Sequence, residues 1–219
     1  MYNVIEARKS KNQITHIVAK QNGGTESLRY SAIRGGLSWP AGTMPGYHCI
    51  LAEDFIYFDR DEGGDQRGKL HLLSEYEYPG MSIDAMFAKL TDDVTQLHCG
   101  EVYADTKEEY QDYLEAYESY RYDKKVRLGR LDQAPFAENF QLGIALITDW
   151  LRTGRLVLPE QSIVREQLKQ VSKQDLDESP ENKFYAINGL RFVVAAFHKF
   201  KPVRHGGAFK SRRRSAMAI

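Results

Sequence analysis

The chain has 219 residues, 42% hydrophobic and 27% charged, which is enough apolar material for one sizeable domain or a domain with an appendage. Thirty basic and thirty acidic residues cancel, so bulk charge argues for no nucleic-acid, membrane or acidic partner. Two cysteines make no disulfide framework, no apolar run approaches the roughly 20 residues that span a bilayer, and the polar opening lacks a signal-peptide core, so a soluble cytoplasmic protein is expected.

Residues 1–27 read as a polar leader or linker remnant, with one possible strand over 14–19 and a turn at Asn22-Gly23-Gly24. Residues 28–33 read as a strand that breaks at Arg34-Gly35-Gly36, where glycines permit a sharp reversal. Two strand-like runs, 47–57 and 69–78, flank a charged, Gly-rich loop and predict an antiparallel hairpin. The period then changes. Ile83, Met86, Phe87, Leu90, Val94 and Leu97 recur at spacings of three and four, which predicts a helix over 82–97.

The next stretch organises the rest: a short buried strand over 101–104, a carboxylate at Asp105, and a Tyr- and Glu-rich helix over 107–121. Further on come a strand near 126–131, a helix over 136–152 stopped by Gly154, a short LVLP edge, and a helix over 162–171. A final helix over 184–200 is apolar nearly all round and therefore buried. Residues 201–219 carry Lys201, Arg204, Lys210, Arg212, Arg213 and Arg214 with no acid, a basic tail expected to be disordered. The core domain is thus expected over 28–200, as an α/β mixed sheet with its first three strands antiparallel and helices flanking it.

Asp105 stands at the C-terminal edge of a central strand, where side chains point into the crevice beyond a sheet and chemistry is usually kept. Equally, Asp is a preferred helix cap, and that role alone would account for it. Other motifs carry less. Gly63 to Leu70 (GGDQRGKL) is close to a phosphate-binding loop, but Leu70 replaces the Ser or Thr that would hold magnesium, and the segment leads into a strand rather than a helix. The pairs His48-Cys49 and His98-Cys99 offer at most one ligand each to a shared site, too few for structural zinc. Tyr110, Tyr113, Tyr117 and Tyr120 have helical spacing and read as packing.

The strings YADTKEEYQDYLEAYESYRY, PFAENFQLGIALITDWLRTGRLVLPEQSIVREQL and SPENKFYAINGLRFVVAAF resemble, in their order of elements, the nuclease domain of tailed-phage large terminase subunits, over about residues 28–200. The resemblance implies a ribonuclease H-like fold, cleavage of double-stranded DNA with magnesium or manganese, and a bacterial host cytoplasm. It also implies a terminase ATPase domain or portal protein as partner, and no membrane. It places one acid at the end of the first strand, a second after the central strand, and a third at the start of the last helix. Asp105 matches the second and is the expected metal ligand. Where the first should be Asp-x-Gly the chain has Arg34-Gly35-Gly36, and where the third should be Asp-Ala-Leu-Arg it has Asn188-Gly189-Leu190-Arg191.

Two readings follow. In one, Arg34 reaches Asp105 and Asn188, a protein cation replaces the ions, and a cofactor-free domain contacts DNA or docks in an assembly. In the other, Asp105 works with Glu53, Asp54 or Asp59 as an active magnesium- or manganese-dependent endonuclease.

Overall fold

The computed structural model describes residues 4–10, 13–19, 24–54, 68–125, 128–129, 131–135, 139–172, 174–175 and 183–199. Eight strands form one sheet: β1 (Val4–Ser10), β2 (Gln13–Ala19), β3 (Thr25–Ser38), β4 (Gly46–Asp54), β5 (Leu70–Tyr78), β6 (Glu101–Ala104), β7 (Leu131–Gln133) and β8 (Leu156–Val157). The order β1-β2-β3-β4-β5-β8 runs along the main path, with β6 on β3 and β7 on β6. The pairings from β1 to β5 are antiparallel, while β6, β7 and β8 each join in parallel.

Strand β3 is long enough to serve two neighbours on one edge. Residues 25–30 pair with β2 and residues 34–37 with β6, while β4 holds the opposite edge. Strand β4 shows how period-two alternation sorts a fully buried strand between two layers. Ile50 and Ala52 pack on the face that carries α1 (Ile83–Leu97) and α2 (Gln111–Lys124). Tyr47, Cys49 and Leu51 pack on the face that carries α3 (Phe140–Arg152), α4 (Ile163–Leu168) and α5 (Tyr185–Lys199).

Local chemistry explains the helix ends. Ser82 caps α1 by accepting the Ala85 N–H, and His98 closes it in the left-handed region at φ 52°. Asn139 caps α3 by accepting the Leu142 N–H at 2.8 Å. At the other end Gly154, at φ +69°, provides the left-handed stop expected from sequence. Helix α2 is preceded by a 3₁₀ turn, Glu108–Tyr110, so the regular helix starts later than the sequence predicted. Among the described residues no helix is long and apolar enough to cross a membrane.

Three expectations are corrected. Within the segment expected as a polar leader or linker remnant, residues 4–10 and 13–19 form β1 and β2, the second being the strand expected over 14–19, and β3 starts at Thr25 within the same sheet. Strand β3 does not break at Arg34-Gly35-Gly36 but runs through them to Ser38. The strand expected near 126–131 lies at Leu131–Gln133, pairing with β6. The tail 201–219, Asp59 and most of the Gly-rich loop before β5 lie outside the described residues.

Candidate functional site

Strands β3 and β6 run parallel with Leu37 beside Ala104, so one step further on Ser38 and Asp105 leave the sheet together. Helix α5 crosses behind them, and the contact is backbone to backbone: a Cβ on Gly36 would lie 1.9 Å from the Gly189 carbonyl oxygen. Glycine inside a strand marks such close approaches. That packing brings Asn188 to the end of the sheet. A cavity of about 20 Å³, roughly the room of one water, is lined there by Ser38, Trp39, Asp105, Tyr110, Asn188 and Arg191.

Asp105 is 3% exposed and tightly held. The Trp39 Nε1–H donates to its main-chain oxygen at 2.8 Å. The Lys107 backbone N–H donates to Oδ1 at 3.2 Å, and the Lys107 ammonium lies 3.4 Å from Oδ2. The expected helix cap is not what forms: Lys107 and Tyr110 stand at the N-caps of the 3₁₀ turn and of α2, neither with a side-chain cap bond, and Asp105 instead closes a local turn on the Lys107 N–H. Trp39 itself is fixed by stacking on Tyr113, ring centroids 5.3 Å apart. Tyr117 packs edge-on against Phe87, so these α2 tyrosines pack against the sheet layer as their spacing predicted.

Across the cavity, Arg191 is only 2% exposed and its Nε–H donates to Asn188 Oδ1 at 2.9 Å. Its guanidinium lies 4.7 Å from the Phe192 ring centroid and 5.7 Å from that of Phe140. Its stem passes over Gly143 of α3, where a Cβ would stand 2.9 Å from Arg191 Cβ and Cδ.

The structure thus brings Asp105 and Asn188 to one cavity but leaves Arg34 elsewhere. Arg34 pairs in register with Glu101, at the other end of β6, about 13 Å along the strand from Asp105 at ordinary strand rise. Its Nε–H donates to Glu101 Oε2 at 2.8 Å and its guanidinium covers the Phe197 ring. Burial pushes the Glu101 carboxyl up, but hydrogen bonds from Arg34 and Tyr103 outweigh it and hold the group below the usual carboxylate range. The expected reach of Arg34 to Asp105 is therefore corrected: the residue at the end of the first long central strand is Ser38.

Two of the three alternative acids, Glu53 and Asp54, are also elsewhere. Glu53 pairs with Ala32 and Asp54 with Tyr30, at the far end of β3, where Glu53 faces Arg155 at 3.7 Å and Asp54 meets His71 at 3.0 Å. Sequence reasoning missed Ser38, Trp39, Lys107 and Arg191. Of these, Ser38 had a faint signal, as the last residue before the Trp39-Pro40 loop.

A pair of divalent ions needs several anionic oxygen ligands from separate elements. This cavity offers the Asp105 carboxylate, the Ser38 hydroxyl, the phenols of Tyr110 and Tyr185 and the Asn188 amide, together with a buried guanidinium. Among the described residues no group of three or more His, Cys, Asp or Glu side chains could hold a metal ion. The described residues do not fit a two-metal centre.

No protein-family model and no curated protein sequence matches the chain. Solved structures do. The large terminase nuclease of thermophilic phage G20c with bound zinc has a TM-score of 0.51 at 9% identity, covering 90% of this chain and 94% of that one. A second crystal structure of the same nuclease gives equal values. The g2p large terminase nuclease domain of bacteriophage SPP1 with bound manganese has a TM-score of 0.49 at 13% identity, covering 78% and 88%. The chain thus has the ribonuclease H-like fold of the phage large-terminase nuclease domains.

Proposed function

We propose that the protein is a terminase nuclease-like domain of phage or prophage origin that contacts double-stranded DNA during packaging without cutting it. The shared fold over nine-tenths of the chain supports the terminase context. One observation carries the loss of cleavage: at the convergence of β3, β6 and α5, Asp105 meets Ser38 and Asn188 instead of two more acids. A hydroxyl and an amide supply oxygens but no charge to offset two divalent ions.

The DNA contact is electrostatic in this reading. The six Lys and Arg residues within 201–219, with no acid among them, suit salt-dependent phosphate contacts that carry no sequence preference. A terminase ATPase domain or the portal protein is the protein partner the fold suggests.

The test is incubation with supercoiled plasmid in manganese, alongside gel shift at low and high salt. The reading expects retarded DNA at low salt, release at high salt, and intact plasmid. Nicking that disappears in Asp105→Asn would instead establish a working nuclease.

A further inference from the structure

We infer that Lys107 is the built-in counter-cation of the Asp105 pocket, holding the place that a bound ion would otherwise need to fill. This rests on the reading of the pocket as unable to assemble a two-metal centre, and adds which group satisfies the remaining acid. A carboxylate as buried as Asp105 is costly unless it is paired and hydrogen-bonded. Both of its oxygens are engaged by one residue: Oδ1 by the Lys107 backbone N–H and Oδ2 by the Lys107 ammonium. The geometry is local. Lys107 is extended, at φ −63° and ψ 160°, just before the 3₁₀ turn, and from there its side chain returns to the acid two residues back.

Charge bookkeeping gives the consequence. Among the described residues the cavity lining carries Asp105 at −1 and the buried Arg191 at +1, and Lys107, beside Asp105, adds a further +1, so the surroundings of the acid are net cationic before any ion arrives. A divalent cation must displace the ammonium and then sit near the guanidinium with one carboxylate. The Lys107 side chain is 30% exposed, and a lysine head on a flexible stem can swing into water. Lys107 is therefore the removable part of the barrier, whereas Arg191, locked over Gly143, is not.

The experiment is manganese binding followed by electron paramagnetic resonance. It compares the wild type, Lys107→Gln, the pair Lys107→Gln/Asp105→Asn, and Ser38→Asp/Asn188→Asp with and without Lys107→Gln, each checked for folding by circular dichroism. Wild type should bind no more tightly than about 1 mM, the weak end of hard-ion sites. Lys107→Gln alone should bind several-fold more tightly, and the gain should vanish with Asp105→Asn. The rebuilt site lacking Lys107 should bind at least about tenfold more tightly than the wild type, and more tightly than the rebuilt site that keeps it. Equal affinity of Lys107→Gln and wild type, or a gain that survives Asp105→Asn, would overturn the counter-cation. Plasmid nicking by the wild type would sink the non-cleaving reading instead, a different outcome in a different assay.

Discussion

Gly36 of β3 and Gly189 of α5 touch through their backbones, so the last helix lies directly on the sheet with no side chain between them. This contact sets the depth at which Asn188 meets Ser38 and Asp105. A Cβ on Gly36 would overlap the Gly189 carbonyl and stand 3.3 Å from Val193 Cβ, and neither can yield without moving the helix. Gly36→Ala is expected to cost about 3 kcal/mol, the upper end of ordinary overpacking. Gly100→Ala is the control, because among the described residues a Cβ there would meet just the Ile33 oxygen, at 3.8 Å, and it should cost less than about 0.5 kcal/mol. Urea unfolding of the two variants checks the contrast.

Gly143 poses a contest between two effects. Alanine in a helix interior is favoured over glycine by about 1 kcal/mol, whereas a methyl group here would press the buried Arg191 stem at 2.9 Å, costing about 1–3 kcal/mol. Gly143→Ala is expected to be destabilising overall, by about 1 kcal/mol. A stabilised variant in the same unfolding assay would mean that Arg191 moves freely and does not anchor the cavity.

A second polar network, on the α1 face, makes stability depend on pH. His48 is buried, with Nε2–H donating to Asp93 Oδ2 at 2.9 Å and Nδ1 accepting from the Tyr78 hydroxyl. Ser74 donates to the same Asp93 oxygen at 3.0 Å, and the Lys89 ammonium pairs with the other. Burial pushes Asp93 up, but its hydrogen bonds with His48 and Lys89 prevail and lower it to about 2. Burial lowers His48, keeping it neutral. Both signs agree. As pH falls below the ordinary histidine value, the unfolded chain takes up a proton that buried His48 resists. As it falls further, from about 4 to about 2, the stability contributed by ionised Asp93 is lost. The Asp93 part is worth about 2 kcal/mol. Asp93→Asn should be less stable near neutrality and should lose less on acidification, as read by urea midpoints across that range. A pH dependence identical to wild type would contradict the assignment.

The sequence revealed most where one physical signal dominated. The three-four spacing of Met86, Phe87, Leu90, Val94 and Leu97 located α1 to within a residue or two, and continuous apolarity marked α5 as buried. Asp105 was legible because a short apolar strand ended at an acid. Strand β1 was not, because it is a largely exposed edge strand with no apolar alternation, and β2, read as a possible strand over 14–19, was left outside the domain because only Ile14, His16 and Val18 of it turn inward. The Arg34-Gly35-Gly36 stretch misled for a specific reason. Glycine permits a turn and also permits a helix backbone to approach a strand, and sequence alone does not separate the two. Taking the first use moved the strand end five residues upstream, from Ser38 to Ile33, and so put Arg34 where the site residue should be. Lys107 went unnoticed because a lysine at the start of a helix region looks like any solvated charge, and only register shows that it folds back on Asp105.

Calorimetric titration of manganese into the wild type and Asp105→Ala decides whether this pocket assembles a divalent-metal centre. Both proteins should give the same heat of dilution up to about 1 mM ion. Saturable binding well below that concentration in the wild type, absent from Asp105→Ala, would contradict it.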